Sequence, residues 1–134
     1  MDEPKSVAEM LKALENDHAR LHKLGSAIQQ AIEVSDKNAA VHGLAKLQVA
    51  QASHFWLEER LMEKVRFPDH KAHAQKHETL ATTLEAITQM LRLDRFSSVS
   101  LELDAFIEDS RAHVAELDGT FRCFLGNLLT PSSR

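Results

Sequence analysis

The sequence predicts an all-α protein folded as an antiparallel up-down-up-down four-helix bundle. Apolar residues recur at alternating steps of four and three along nearly the whole chain, and polar turn signals interrupt them at three places. The segments between are each roughly 25 to 30 residues long, and such segments joined by short turns run antiparallel to their neighbours.

The first segment, about 6–34, carries its stripe at positions 7, 11, 14, 18, 21, 25, 28 and 32, which apart from His18 and Gly25 are Val, Leu and Ile. Ser6 followed by Glu9 is a capping box for its start, and "SDKN" at 35–38 supplies a polar turn and the next cap. The second segment, about 38–66, runs through Leu44, Leu47, Gln51, His54, Glu58, Leu61 and Val65 to "RFPD", where Pro68 ends one helix and opens another. A third, about 69–93, uses His73, His77, Leu80, Leu84, Ile87 and Leu91. After "DRFSS" the fourth, about 98–129, uses Val99, Leu103, Phe106, Ser110, His113, Leu117, Thr120 and Phe124.

A chain of 134 residues fits one domain, 1–134, with enough buried surface for one core. Hydrophobic content of 43% beside 27% charged residues is ordinary for a soluble globular protein, and a net charge of -4 gives no reason to seek nucleic acid or an anionic membrane. The N-terminus has neither a basic start nor an apolar core, and no stretch approaches a membrane span, so a cytoplasmic protein is expected. Cys123, the lone cysteine, cannot form an internal disulfide and reads as a small buried apolar residue.

The stripes contain an anomaly. His18, His54, Glu58, His73, His77 and His113 occupy core positions on all four helices. Burying one such group without a partner costs on the order of a few kcal/mol, so six together require a shared explanation. Their depths agree: His18 and His54 lie equally far from the first turn, and the other groups fall within a turn or two of that layer when counted from the second and third turns. His54 with Glu58, and His73 with His77, are four apart, so each pair points one way from its helix and can grip a common centre. Asp118 follows His113 by five, which in α-helical geometry turns it about 140 degrees away and makes it reach sideways. Five neutral imidazoles and two carboxylates are too many for one tetrahedral zinc and suit two iron-class ions bridged by the carboxylates. Stripped of metal, such a layer predicts a less stable bundle.

"ENDHARL" at 15–21, "HFWLEERLM" at 54–62, "FPDHKAHAQKH" at 67–77 and "HVAELD" at 113–118 together resemble the hemerythrin family in its bacterial form. The resemblance implies a di-iron site in the core of the bundle. His73, His77 and His113 would hold one iron and His18 and His54 the other, with Glu58, Asp118 and an oxo or hydroxo group as bridges. The two-histidine iron would keep an open position for dioxygen or another small diatomic or anionic ligand. The implied function is reversible oxygen binding for carriage, storage or sensing rather than enzymatic turnover. Carboxylate-rich di-iron bundles need a Glu-x-x-His motif on two helices, and only "ENDH" has that form; the absence of tyrosine excludes a tyrosyl radical on this chain.

Phe55, Trp56, Leu61, Met62 and Phe121 are expected to pack, with Phe55 and Met62, which match the family's residues, walling the oxygen pocket. One departure bears on function. Hemerythrins usually carry Trp and Leu four and three positions before the last-helix histidine, where this chain has Asp109 and Ser110. Ser110 lies on the metal stripe, so a more polar pocket would shed bound oxygen as peroxide sooner. That favours an alternative: a di-iron redox protein handling peroxide or nitric oxide. His22 and Glu59 are expected beside the site or at the surface, and His42 and His70 at a helix surface or start.

Overall fold

The computed structural model describes residues 6–129, save the side chains at 117, 118 and 129. It is all-helical, with no strand among the described residues, and is consistent with a four-helix bundle. Helix α1 spans Val7–Glu33, α2 Lys37–Lys64 and α3 His70–Arg92. The fourth rod is composite: α4 (Phe96–Ala112), a π-helical stretch (His113–Asp118) and α5 (Gly119–Leu129). Each rod packs on the next in chain order, and the first packs against the fourth, closing the ring. Among the described residues no helix is long and apolar enough to cross a membrane.

Local signals set the ends of these rods. At the start of α1 the Ser6 hydroxyl accepts from the Glu9 amide at 3.1 Å while the Ser6 amide donates to Glu9 Oε1 at 3.0 Å, forming the capping box that the sequence predicts. Asp36 caps α2 by accepting from the Ala39 amide. Pro68 falls in the turn between α2 and α3 rather than at a helix end. The three turns share one geometry. Ser35, Arg66 and Asp94 adopt φ of 57°, 57° and 61°, and the amide that follows each donates back to Ala31, Met62 and Met90 respectively, a Schellman closure. None of the three is glycine, so each stop places a side chain in the left-handed region, where a Cβ is unfavourable by roughly 1 kcal/mol. An ion pair between Lys37 and Asp94 ties the first turn to the third.

The core is split in two. One apolar cluster gathers Ile28, Leu44, Leu84, Ile87, Leu91, Leu103 and their neighbours; the other gathers Met10, Leu14, Leu61, Met62, Phe67, Phe121 and Leu125. On α1, α2 and the fourth rod the polar stripe positions fall between members of the two clusters, and on α3 they fall between Leu80 and Phe67 of the preceding turn. Gly43 brings α2 close to α1, because a Cβ there would lie 2.7 Å from Cγ1 of Ile28. Two side chains depart from expectation. Cys123 is exposed, since the stripe of α5 that faces the core is carried by Phe121 and Leu125 instead. Trp56 is 62% exposed, because Phe55 and Leu57 flank it on the inner side of α2; the Arg60 guanidinium sits 5.3 Å from its ring.

Replacing Ser35 by glycine removes the left-handed strain at the first turn without touching a packed side chain. Ser35→Gly is expected to raise the melting temperature by about 2–5 °C, measured by calorimetry, after the entropy of the unfolded chain is allowed for.

Candidate metal centre

Between the two apolar clusters lie His54, Glu58, His73, His77 and His113, each at most 3% exposed. Helical spacing delivers them: α2 carries His54 and Glu58 one turn apart, α3 carries His73 and His77 one turn apart, and the fourth rod supplies His113 where its α-helix passes into the π stretch. His18 joins from α1, half-buried, its ring 4.7 Å from that of His54.

The donor atoms fall into two groups sharing one carboxylate. Glu58, His73, His77 and His113 offer four donors lying within 4.8 Å of one another, and His18, His54 and Glu58 offer three more under the same limit. In the first group Glu58 Oε1 lies 2.9 Å from His73 Nε2 and 2.9 Å from His77 Nε2, and the Nε2 atoms of His77 and His113 are 3.1 Å apart. Donors about 2.1 Å from a common ion and at right angles to one another would lie about 3.0 Å apart. The separations therefore fit an octahedral shell.

Charge leads to the same conclusion. Glu59 Oε2 is 2.6 Å from His77 Nδ1, and Asp17 Oδ2 is 3.2 Å from His54 Nδ1. A carboxylate at Nδ1 draws the ring proton there and leaves Nε2 with its lone pair. His77 Nε2 then turns a lone pair toward a carboxylate oxygen and a second imidazole nitrogen, on a ring that is itself buried. A cation at their centre converts that repulsion into ligation, and the donor set of imidazoles with one shared carboxylate suits an iron-class ion. Phe55 lies flat on the His77 ring, 3.8 Å between centroids and 4° from parallel, and holds its plane.

Asp17 was not legible as a functional residue in the sequence. Its only signal is adjacency to His18, which in a helix places it about 100° around and toward α2. Glu59, by contrast, takes the orienting place beside the site that was one of its two expected settings.

The π stretch changes the geometry expected for position 118. The Gly119 amide donates to the Val114 carbonyl, an i to i+5 bond. Widening the turn in this way brings the backbone of residue 118 back over that of His113, where an α-helix would carry it well to one side. The Asp118 side chain itself lies outside the described residues.

A cavity of about 310 Å³ opens between α1 and the fourth rod and ends against His18, His54 and His113. Phe55 and Ser110 line it, and His22 and Arg111 stand among its polar residues. Ser110 is half-buried, whereas Asp109 is exposed. Met62 is fully buried in the cluster on the other side of the polar layer, with Phe67 and Phe121. His42 is exposed and His70 opens α3, which leaves both outside the layer.

Removing the charge at position 59 tests the orienting role. Glu59→Gln should weaken metal binding by about 10–100-fold in a chelator competition titration, with little change in helix content, because the carboxylate is 37% exposed and contributes little packing.

No curated protein and no solved structure matches the chain. The family model for the Hemerythrin HHE cation binding domain matches residues 7–123, a span that encloses every donor described above. With two buried donor groups at the middle of its helices, the chain belongs to the hemerythrin family and is a cation-binding protein.

Proposed function

We propose that this protein is a cytoplasmic, single-domain, non-haem di-iron protein that binds dioxygen reversibly, in an antiparallel up-down-up-down bundle. The observation that carries the reading is the pair of donor groups sharing Glu58. In this reading His73, His77 and His113 hold one iron, His18 and His54 the other, and Glu58 spans the two. Asp118 serves as the second carboxylate bridge; the i to i+5 turn supports that role because it returns position 118 toward His113. Two iron ions held there would supply one electron each to a bound diatomic molecule and recover them on release.

The protein's own contribution is to exclude water and hold geometry. Leu21, Leu47, Phe106 and Ile107 wall the cavity that reaches His18 and His54, so a small neutral gas enters more readily than a hydrated ion. Asp17 and Glu59 fix the ring orientation of His54 and His77 by accepting from Nδ1, which keeps each Nε2 aimed inward. Phe55 and Phe67 pack against His77 and His73 of the three-histidine group, while the cavity reaches both rings of the other group, His18 and His54.

Metal analysis with an optical titration tests this. The purified protein should carry two irons per chain, and reduced protein exposed to air should gain a visible absorption that is lost again under argon. Iron-loaded protein with no such reversible change would overturn the reading.

Ser110 supports a second reading. A hydroxyl on the cavity wall can deliver a hydrogen bond and a proton where a hydrocarbon side chain cannot, which favours loss of reduced oxygen as peroxide and hence a redox role toward peroxide or nitric oxide. Ser110→Leu should slow spontaneous oxidation of the oxygenated protein by about tenfold, followed optically, corresponding to loss of one hydrogen bond of about 1.4 kcal/mol. Equal rates in the two proteins would remove the motive for the redox reading.

A further inference from the structure

The cavity between α1 and the fourth rod is far larger than a diatomic gas requires. An apolar cavity of about 150 Å³ holds one benzene molecule, and this one has about 310 Å³. Its side walls are largely apolar, made by Leu21, Leu47, Phe55, Leu80, Phe106 and Ile107, its inner end is formed by His18, His54 and His113, and Ser26, Ser110 and Arg111 supply a few further polar groups. Gln29, also on the wall, is engaged by Asp104, to which its Nε2 donates at 2.9 Å. A lining that is mostly hydrocarbon with a few polar groups is the usual composition of a site for a small organic molecule.

Gly25 gives an independent reason to regard the space as built. It lies in the middle of α1, on the inward stripe, where glycine weakens a helix. Gly43 has a packing reason to be glycine, since a Cβ there would strike Ile28 at 2.7 Å. Gly25 has none of that kind: its φ is not positive, and the nearest atom a Cβ would meet is Ile107 Cδ1 at 3.6 Å, ordinary contact. A Cβ is sterically acceptable at that point, and because Gly25 lines the cavity a side chain built on it would take up part of that space. The glycine keeps the cavity open at the expense of helix stability.

We infer that this cavity binds an uncharged, largely apolar organic molecule of bicyclic size carrying a single polar group. The ring system sits among Leu47, Phe106 and Ile107, and the polar group meets Ser110 or Ser26. Occupancy covers the His18 and His54 rings, so the organic ligand and the small ligand of the metal compete for one entrance. That competition rests on the di-iron reading; the binding itself does not.

The test uses 2-naphthol, a fluorescent bicyclic aromatic with one hydroxyl that is uncharged at neutral pH. Titrated into iron-loaded protein, it should bind saturably at one site per chain. Gly25→Leu should reduce the affinity at least tenfold, with a melting temperature at or above that of the wild type. Should the leucine variant fail to fold, Gly25→Ala decides, with a two- to fivefold loss expected. No saturable binding by the wild type, or unchanged affinity in the folded variant, overturns the proposal. Metal content and the reversible response to air, measured on the same samples, report on the di-iron reading separately, so either idea can fail without the other.

Discussion

The fold is organised around one unfavourable act, the burial of a carboxylate and four imidazoles in a single layer at mid-height. Glu58 is only 1% exposed, and its Oε1 is shared between the Nε2 atoms of His73 and His77. An isolated carboxylate in such a place would be neutralised or hydrated. Here apolar clusters pack above and below the layer, and a cation at its centre would match the shared carboxylate and the imidazole donors together. Folding and metal binding are therefore two aspects of one equilibrium, because the donors can converge only when the helices pack and the packed layer is fully stable only when the charge is matched.

That requirement explains features that would otherwise look incidental. Asp17 and Glu59 sit outside the layer, yet their contacts decide which nitrogen of His54 and His77 faces inward. The π stretch is a local sacrifice of good α-helical bonding on the one rod that supplies His113. The ion pair of Lys37 with Asp94 and the three repeated turn closures register the rods, so that stripe positions counted from each turn meet at one depth.

Much of this was legible in the sequence for a simple reason: an α-helix is periodic, and a polar residue on its apolar stripe announces itself. Ser6 with Glu9, the order of the rods and the inward-facing His54, Glu58, His73, His77 and His113 all follow from spacing alone. What spacing could not give was any departure from ideal α-geometry. The π turn has no local residue signature, so rotation at 100 degrees per residue sent position 118 the wrong way. The left-handed stops at Ser35, Arg66 and Asp94 were hidden because none of them is glycine. Exposure of Trp56 and Cys123 was also out of reach, since hydrophobicity ranks residue types but does not say which of several neighbouring apolar side chains wins the inner face. Asp17 needed a contact across helices, from α1 to His54, that no single-helix pattern encodes.

The outward placement of Trp56 gives the chain a built-in optical reporter. It is the only tryptophan, and it lies two residues from both His54 and Glu58, on the solvent side of the same helical turn. A coloured centre inside the bundle would stand about one helix diameter from it, close enough for non-radiative energy transfer to dim its emission. Because the indole contributes little to the core, the intensity of that emission follows the state of the buried layer without the reporter taking part in it.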